Sequence, residues 1–284
     1  MAVVVQLVSY PIKGCAGTPL DGVRADEPGL EHDRSFMVVD GDGTFRSQRR
    51  DPRLALIRPV VGERGRRITL DAAGFGAVDI EVDTDSARRD VELFGLPYQG
   101  IDQGPDAAGW LSEFLGAPSR LVRVPPEHDR VTDGLTPGQA GYADSGAVHL
   151  VSTASLDELN RRLAAAGHPA LPMDRFRPNI VIDGTGGPHL EDELRGVRIG
   201  GAVLAFAKLA LRCAVTTVDQ DGGVKTGPEP LRTLAAYRRV ARGGVAFGAK
   251  FSVVRPGRVA LGDEVAAAGR TDGLVRAFSP GSPG

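Results

Sequence analysis

The sequence predicts a mainly β fold of barrel or sandwich class with α decorations, an α+β chain. Three observations predict it. Apolar runs of strand length recur along most of the chain, Gly, Pro and Asp break them, and only three segments carry helical spacing. At 284 residues, with 42% hydrophobic and 25% charged residues, there is enough chain for one large or two medium domains with a sizeable core.

Residues 3–8 read as a strand ending before Pro11. Residues 35–39 and 44–47 flank Asp40-Gly-Asp-Gly43, a hairpin turn signal. Further strands cover 54–61, 67–70 and 77–82, with 71–76 a turn of small residues. Trp110, Leu111, Phe114 and Leu115 give 106–115 a helical period, stopped at Gly116 with Pro118 beyond. A strand at 121–124 runs into Pro125-Pro126. Residues 127–143 are polar and hold Gly and Pro, which predicts a long loop at the seam between two halves. A strand at 147–151 leads into a helix. Its start fits a capping box, Ser155-Leu-Asp-Glu158, with Ser152 as an earlier alternative, and it ends at Gly167 before Pro169. Strands follow at 178–182, 197–199, 203–207 and 214–218. Pro230 opens a helix over 230–240 that buries Leu231, Leu234 and Tyr237. Strands at 250–254 and 258–260 close the fold, and 269–284 reads as a frayed tail.

Composition excludes several classes. The net charge of −2 gives no overall pull toward nucleic acid or an anionic membrane. No apolar run approaches the roughly 18 residues of a membrane helix, and the start lacks the form of a secretory signal, so a soluble cytoplasmic protein is expected. Two cysteines, Cys15 and Cys213, are too few for a disulfide framework or a four-cysteine iron–sulfur cluster. The five histidines are scattered, without a zinc-site pattern. Asp219-Gln-Asp-Gly-Gly-Val-Lys-Thr226 fails as a phosphate loop because Val224 precedes Lys225, so a hairpin turn is predicted. Arg161-Arg162 and Arg238-Arg239 read as solvated helix faces.

Four groups of segments carry a family resemblance. Ser9-Tyr-Pro-Ile-Lys-Gly-Cys15 with Leu30-Glu-His-Asp-Arg-Ser-Phe-Met-Val-Val39 is similar to the N-terminal β-barrel domain that precedes MOSC domains. Asp144-Ser145 with the run Leu150 to Asn160, then Arg175-Phe-Arg-Pro-Asn-Ile-Val-Ile-Asp-Gly184, then Leu211-Arg-Cys-Ala-Val-Thr-Thr-Val-Asp219 with Pro230-Leu-Arg-Thr-Leu234 and Phe247-Gly-Ala-Lys-Phe251, resemble the MOSC domain of the mitochondrial amidoxime-reducing component and its bacterial relatives. The resemblance implies two β-barrel-like domains, placed here at 1–125 and 126–268, with 269–284 as a tail. It implies a molybdenum-pterin cofactor between them and reduction of amidoximes, hydroxylamines and hydroxylamino-purines to amidines and amines. It further implies Cys213 as the metal's sulfur ligand, and Lys13, Gly14, Arg34, Asp144, Ser145, Arg177, Asn179 and Arg212 around the cofactor. Gly14 and Leu211 stand where relatives often have serine, and Lys250 where the animal proteins have tyrosine.

The residues support the same chemistry on their own terms. A cation beside Cys213, namely Arg212, favours the thiolate, the form that binds a soft or redox metal. Arginines are bidentate receptors for a cofactor phosphate. Cys15, without an adjacent charge, reads as a spare thiol near the pocket rim. Asp219 is the nearest candidate acid for protonating the leaving group. Without four cysteines or a dinucleotide fingerprint, electrons are expected from a separate ferredoxin-, flavin- or haem-type protein. The alternative reading is a non-catalytic cofactor carrier or maturation protein. MOSC domains also end cofactor sulfurases, through which pyridoxal phosphate binding attaches to the family. No pyridoxal-phosphate domain precedes this one, so sulfurase activity is not expected.

Overall fold

In a computed structural model of the chain, residues 1–241 and 243–268 are described. A closed seven-strand barrel dominates. Strands Ala2–Ser9, Glu264–Ala267, Gly196–Ile199, Ala202–Arg212, Val245–Arg255, Val148–Ser152 and Ile180–Gly184 pair in that order, and the last pairs back onto the first. Closure removes exposed sheet edges. All these pairings are antiparallel except Val148–Ser152 with Ile180–Gly184. A parallel pair needs a crossover, and the helix Thr153–Ala165 supplies it. Val4, Leu7, Leu150, Ile180, Leu204 and Phe251 fill the interior. The chain's first strand thus belongs to the barrel that the C-terminal half builds.

Gly22–Asp26 and Gly29–Leu30 form a small sheet with Gly257–Ala260 against the barrel, and the rest of the N-terminal part packs two sheets and a helix. Arg88–Leu93, Leu96–Asp102, Ser119–Arg123, Phe36–Asp40 and Ile12–Lys13 form one sheet, and Arg58–Gly62, Arg67–Ala72 and Gly76–Glu81 the other. The helix Gly104–Leu115 buries Ala107, Leu111 and Phe114 and ends on Gly116 at φ 70°, a left-handed cap that glycine adopts without strain.

Several elements differ from expectation. Residues 44–47 form only isolated bridges at Thr44 and Phe45. Residues 54–61 split into a 3-10 turn, Pro52–Leu56, and a strand, because Pro52 sets φ for the turn. The hairpin of residues 88–102 escaped notice because its strands are charged on the outer face. Residues 127–143 contain a short ladder, Val131–Thr132 against Gly138–Gln139. The crossover helix is capped by Ser152, whose hydroxyl accepts from Ser155 N, so the earlier start is the real one. The last helix is shorter than expected, Leu231–Tyr237. Arg238 is not solvated: it is ion-paired with Asp192. The hairpin around 219–226 forms as expected, with Val218–Asp219 paired to Val224–Lys225. The proposed tail lies outside the described residues.

Candidate functional site: a cationic cleft between lobe and barrel

Residues 214–218, expected as a strand, instead form a 3-10 turn, Ala214–Thr217, leading into a two-residue strand. Cys213 is its N-cap. Thr216 donates through both its amide and its hydroxyl to the Cys213 carbonyl, at 3.1 and 3.0 Å, and the Thr217 hydroxyl donates to Ala214 O at 2.8 Å. Threonine hydroxyls turned back on the backbone compete with a strand ladder, which is why the β-branched run does not extend. The turn leaves the thiol half-exposed at the end of the long strand Ala202–Arg212.

Cys213 lines a cleft formed jointly by the N-terminal lobe and the barrel. Six cationic side chains line it, Lys13, Arg34, Arg49, Arg177, Arg212 and Lys250, against one carboxylate, Asp144. Phe45, Phe94, Phe176 and Leu211 supply apolar walls.

Part of this charge is settled within the protein. Lys13 pairs with Asp144 and donates to Tyr142 O at 3.0 Å. Arg34 donates to Asp33 at 2.6 Å and to Asn179 Oδ1 at 3.0 Å. Asn179 donates to Asp33 Oδ1 and Val8 O, and its Oδ1 also accepts from His149 N. Its amide is therefore fully used in tying lobe to barrel. Arg34 and Arg177 both lie over the Tyr10 ring, at 4.4 and 4.3 Å. Both adopt left-handed backbone, φ 47° and 54°, Arg177 immediately before Pro178. Such conformations are uncommon for side-chain-bearing residues and persist where the surroundings enforce them.

The rest is left open. Arg177 Nη2, Arg212 Nε and His149 Nδ1 are buried without a hydrogen-bond partner among the described residues. The side chain of Lys250, a residue only 8% exposed, shows no hydrogen bond or ion pair among the described residues. Burial pushes the pKa values of Arg177, Arg212, Lys250 and His149 down, those of Lys250 and His149 well below their ordinary values, and neighbouring cations push the same way. A buried donor without an acceptor costs free energy unless a ligand satisfies it. The chemistry of this donor set therefore fits an anionic group carrying several negative oxygens, such as a phosphorylated cofactor, with a half-exposed thiol beside it for a metal.

Residues 1–118 match the family model of the MOSC N-terminal beta barrel domain, and residues 137–266 that of the MOSC domain. The mouse mitochondrial amidoxime-reducing component 1 is 34% identical, across 92% of this chain and 81% of its own length. Its human counterpart is 33% identical, across 92% and 82%. The chain belongs to the MOSC family. A rice molybdenum cofactor sulfurase is also similar, 30% identical across 85% of this chain but only 31% of its own length. The sulfurase is named for the molybdenum cofactor and the component for amidoxime reduction, and these relatives support a molybdenum-cofactor-related function for the family. Among the described residues of this MOSC protein no helix is long and apolar enough to cross a membrane.

Of the residues singled out in the sequence, Lys13, Gly14, Arg34, Asp144, Ser145, Arg177, Arg212 and Cys213 all line the cleft. Asn179 lies behind it and positions Arg34. Asp219 is not among the lining residues. It accepts from Arg175 Nη2 at 2.8 Å and from Gly222 N at 2.6 Å, so its carboxylate serves an ion pair and a turn. Cys15 is not at a rim: it is sealed in the lobe core and its thiol is pushed up to about 12 by burial.

Sequence reasoning missed Gln48, Arg49 and His149. Gln48 forms a reciprocal amide pair with Gln220, both bonds 3.0 Å, and donates to Gly14 O at 2.6 Å. Arg49 Nη1 donates to Cys213 Sγ at 3.9 Å across the lobe–barrel boundary. No local signal announces contacts spanning more than 160 residues. His149 had one indirect signal, Gly248 inside a strand. At φ 78° it forms a bulge, and a Cβ there would stand 2.6 Å from His149 Nε2.

Proposed function

We propose that this MOSC protein is a molybdenum-cofactor-dependent oxidoreductase that reduces N-hydroxylated compounds, with Cys213 as the metal's sulfur ligand. One observation carries the reading: a half-exposed thiol stands beside buried, unpartnered cationic donors, a set that an anionic metal-bearing cofactor would satisfy. Arg177, Arg212 and Lys250 would hold its anionic oxygens. Lys13 and Arg34, already oriented by Asp144 and by Asp33 with Asn179, would set the wall it rests on. The bound cofactor would supply two-electron redox chemistry at the metal.

The overall reaction is R–NHOH + 2 e⁻ + 2 H⁺ → R–NH2 + H2O, in which the N–O bond breaks and the oxygen leaves as water; for an amidoxime, the C(=NOH)NH2 group becomes C(=NH)NH2. The protein's own contribution is orientation, exclusion of water by the phenylalanine walls and carriage of protons. Asp144, the carboxylate on the lining, is held ionised by its pair with Lys13 and serves to orient that lysine. Asp219 takes no part. Electrons come from a separate ferredoxin-, flavin- or haem-type protein, the small-molecule substrate entering by the same mouth.

Protein purified from a host that makes the cofactor should carry close to one molybdenum per chain and reduce benzamidoxime with reduced viologen, but not with NADH alone. Cys213→Ser should remain folded and lose turnover at least about a hundredfold, because serine is a harder ligand of nearly the same shape. Full turnover by Cys213→Ser would sink the metal assignment. Cofactor bound without turnover would make the protein a carrier.

A further inference from the structure

Strands Arg88–Leu93 and Leu96–Asp102 pair through Leu93 opposite Leu96, which leaves Phe94 and Gly95 as a two-residue hairpin loop. Both have positive φ, 57° and 77°. That is the geometry of a type I′ turn, which favours Asn-Gly. Gly95 suits it freely. A phenylalanine in left-handed backbone does not, because its Cβ crowds the following carbonyl. Burial does not compensate the strain, since Phe94 remains 40% exposed.

What the turn achieves is placement. Phe94 lines the cleft, with Lys13 Nζ 4.6 Å from its ring centroid and Phe45 edge-on at 4.9 Å. From the barrel strand that delivers Cys213, Leu211 also lines the cleft and is 54% exposed. An otherwise cationic hollow thus has two exposed apolar groups, one from each half of the molecule. Large apolar side chains on a ligand cleft, one of them held at the expense of backbone strain, are expected where an apolar part of a ligand is recognised.

We propose that Phe94, with Leu211, is a specificity-determining residue that holds the organic part of the substrate and favours planar aromatic N-hydroxylated compounds over small aliphatic ones. The proposal rests on the reductase reading above. Phe45 meets the ring in a T-shaped contact and Lys13 Nζ lies over it, so the ring is held from within the protein while 40% of the residue stays open to the cleft.

The test uses the cofactor-loaded full chain, reduced viologen as donor, and two substrates, benzamidoxime and acetamidoxime. Viologen removes any role of Phe94 in docking a donor protein. In Phe94→Asn, the ratio of kcat/KM for benzamidoxime to that for acetamidoxime should fall about five- to tenfold, mainly through KM. Phe94→Tyr should restore it. Molybdenum and pterin content should match the unmodified protein, and Tm should not fall, because Asn accepts the left-handed turn. An unchanged ratio in Phe94→Asn, or a loss of molybdenum that explains the decline, would overturn the assignment of Phe94 alone. No turnover of either amidoxime by the unmodified protein would overturn the reductase reading, and this assignment with it.

Discussion

Two regions of the cleft carry the same kind of charge and treat it in opposite ways. Around Asp33 the cation is matched: Arg34 meets a carboxylate that is itself only 1% exposed, and Asn179 closes the network. Around Cys213 the barrel wall keeps two buried donors with no acceptor among the described residues, Arg177 Nη2 and Arg212 Nε, beside the largely buried Lys250. The two cysteines repeat the contrast, with Cys15 sealed in the lobe core and Cys213 half-open at the cleft. The difference separates scaffold from site. A matched buried charge holds two parts of a protein in register, whereas an unmatched one is a standing cost that a ligand removes.

The contrast between thiols gives the largest expected effect. Burial pushes the Cys15 thiol up to about 12, and only the thiolate is alkylated. At pH 8 its reactive fraction is on the order of 10⁻⁴, so iodoacetamide should modify Cys213 and spare Cys15 by about a thousandfold or more. Equal labelling, read by peptide mass, would break the contrast.

On the matched side, Asp33→Asn keeps the shape of the side chain but strands Arg34. The expected cost is about 3–5 kcal/mol, read from the denaturation midpoint. A loss under about 1 kcal/mol would mean that the network is not what joins lobe to barrel.

On the open side, Lys250→Met should act in the opposite direction. Cofactor-free protein should gain about 1–3 kcal/mol by losing an unpartnered buried amine, while cofactor retention falls. The pH dependence sharpens the test. Burial depresses the folded-state pKa of Lys250 below its ordinary 10.5, so the unfolded chain holds more protons between the depressed value and 10.5. Stability should therefore rise with pH across that window, and Lys250→Met should flatten the rise. Arg34 and Arg212 deepen the depression, and Asp144 and Asp33 oppose it. A cofactor-free Lys250→Met protein less stable than the parent would show that the amine is satisfied after all.

Much of the site was legible because its residues sit in compact motifs. Arg212-Cys213 and Arg175-Phe-Arg-Pro-Asn179 each place several polar groups within a few residues, and the remaining cofactor candidates, Lys13, Gly14, Arg34, Asp144 and Ser145, all line the cleft. Asp219 was misread because chain proximity to Cys213 stood in for direction: the turn at 214–217 sends it toward Arg175. Arg49 and Gln48 were invisible, since each acts on a partner more than 160 residues away.

What the sequence determined by itself was the mainly β class, the helix ends at Gly116 and Gly167, the Asp-Gly-Gly hairpin and the identity of the thiol beside an arginine. Each follows from local backbone preference or from neighbouring charge. Only the tertiary structure decided that the first strand completes the C-terminal barrel, that Arg177 Nη2 and Arg212 Nε are left without acceptors among the described residues, and that a phenylalanine occupies a turn suited to asparagine. Those outcomes depend on which distant groups arrive beside a residue. Burial and partnership are properties of the assembled neighbourhood, and no window of sequence contains them.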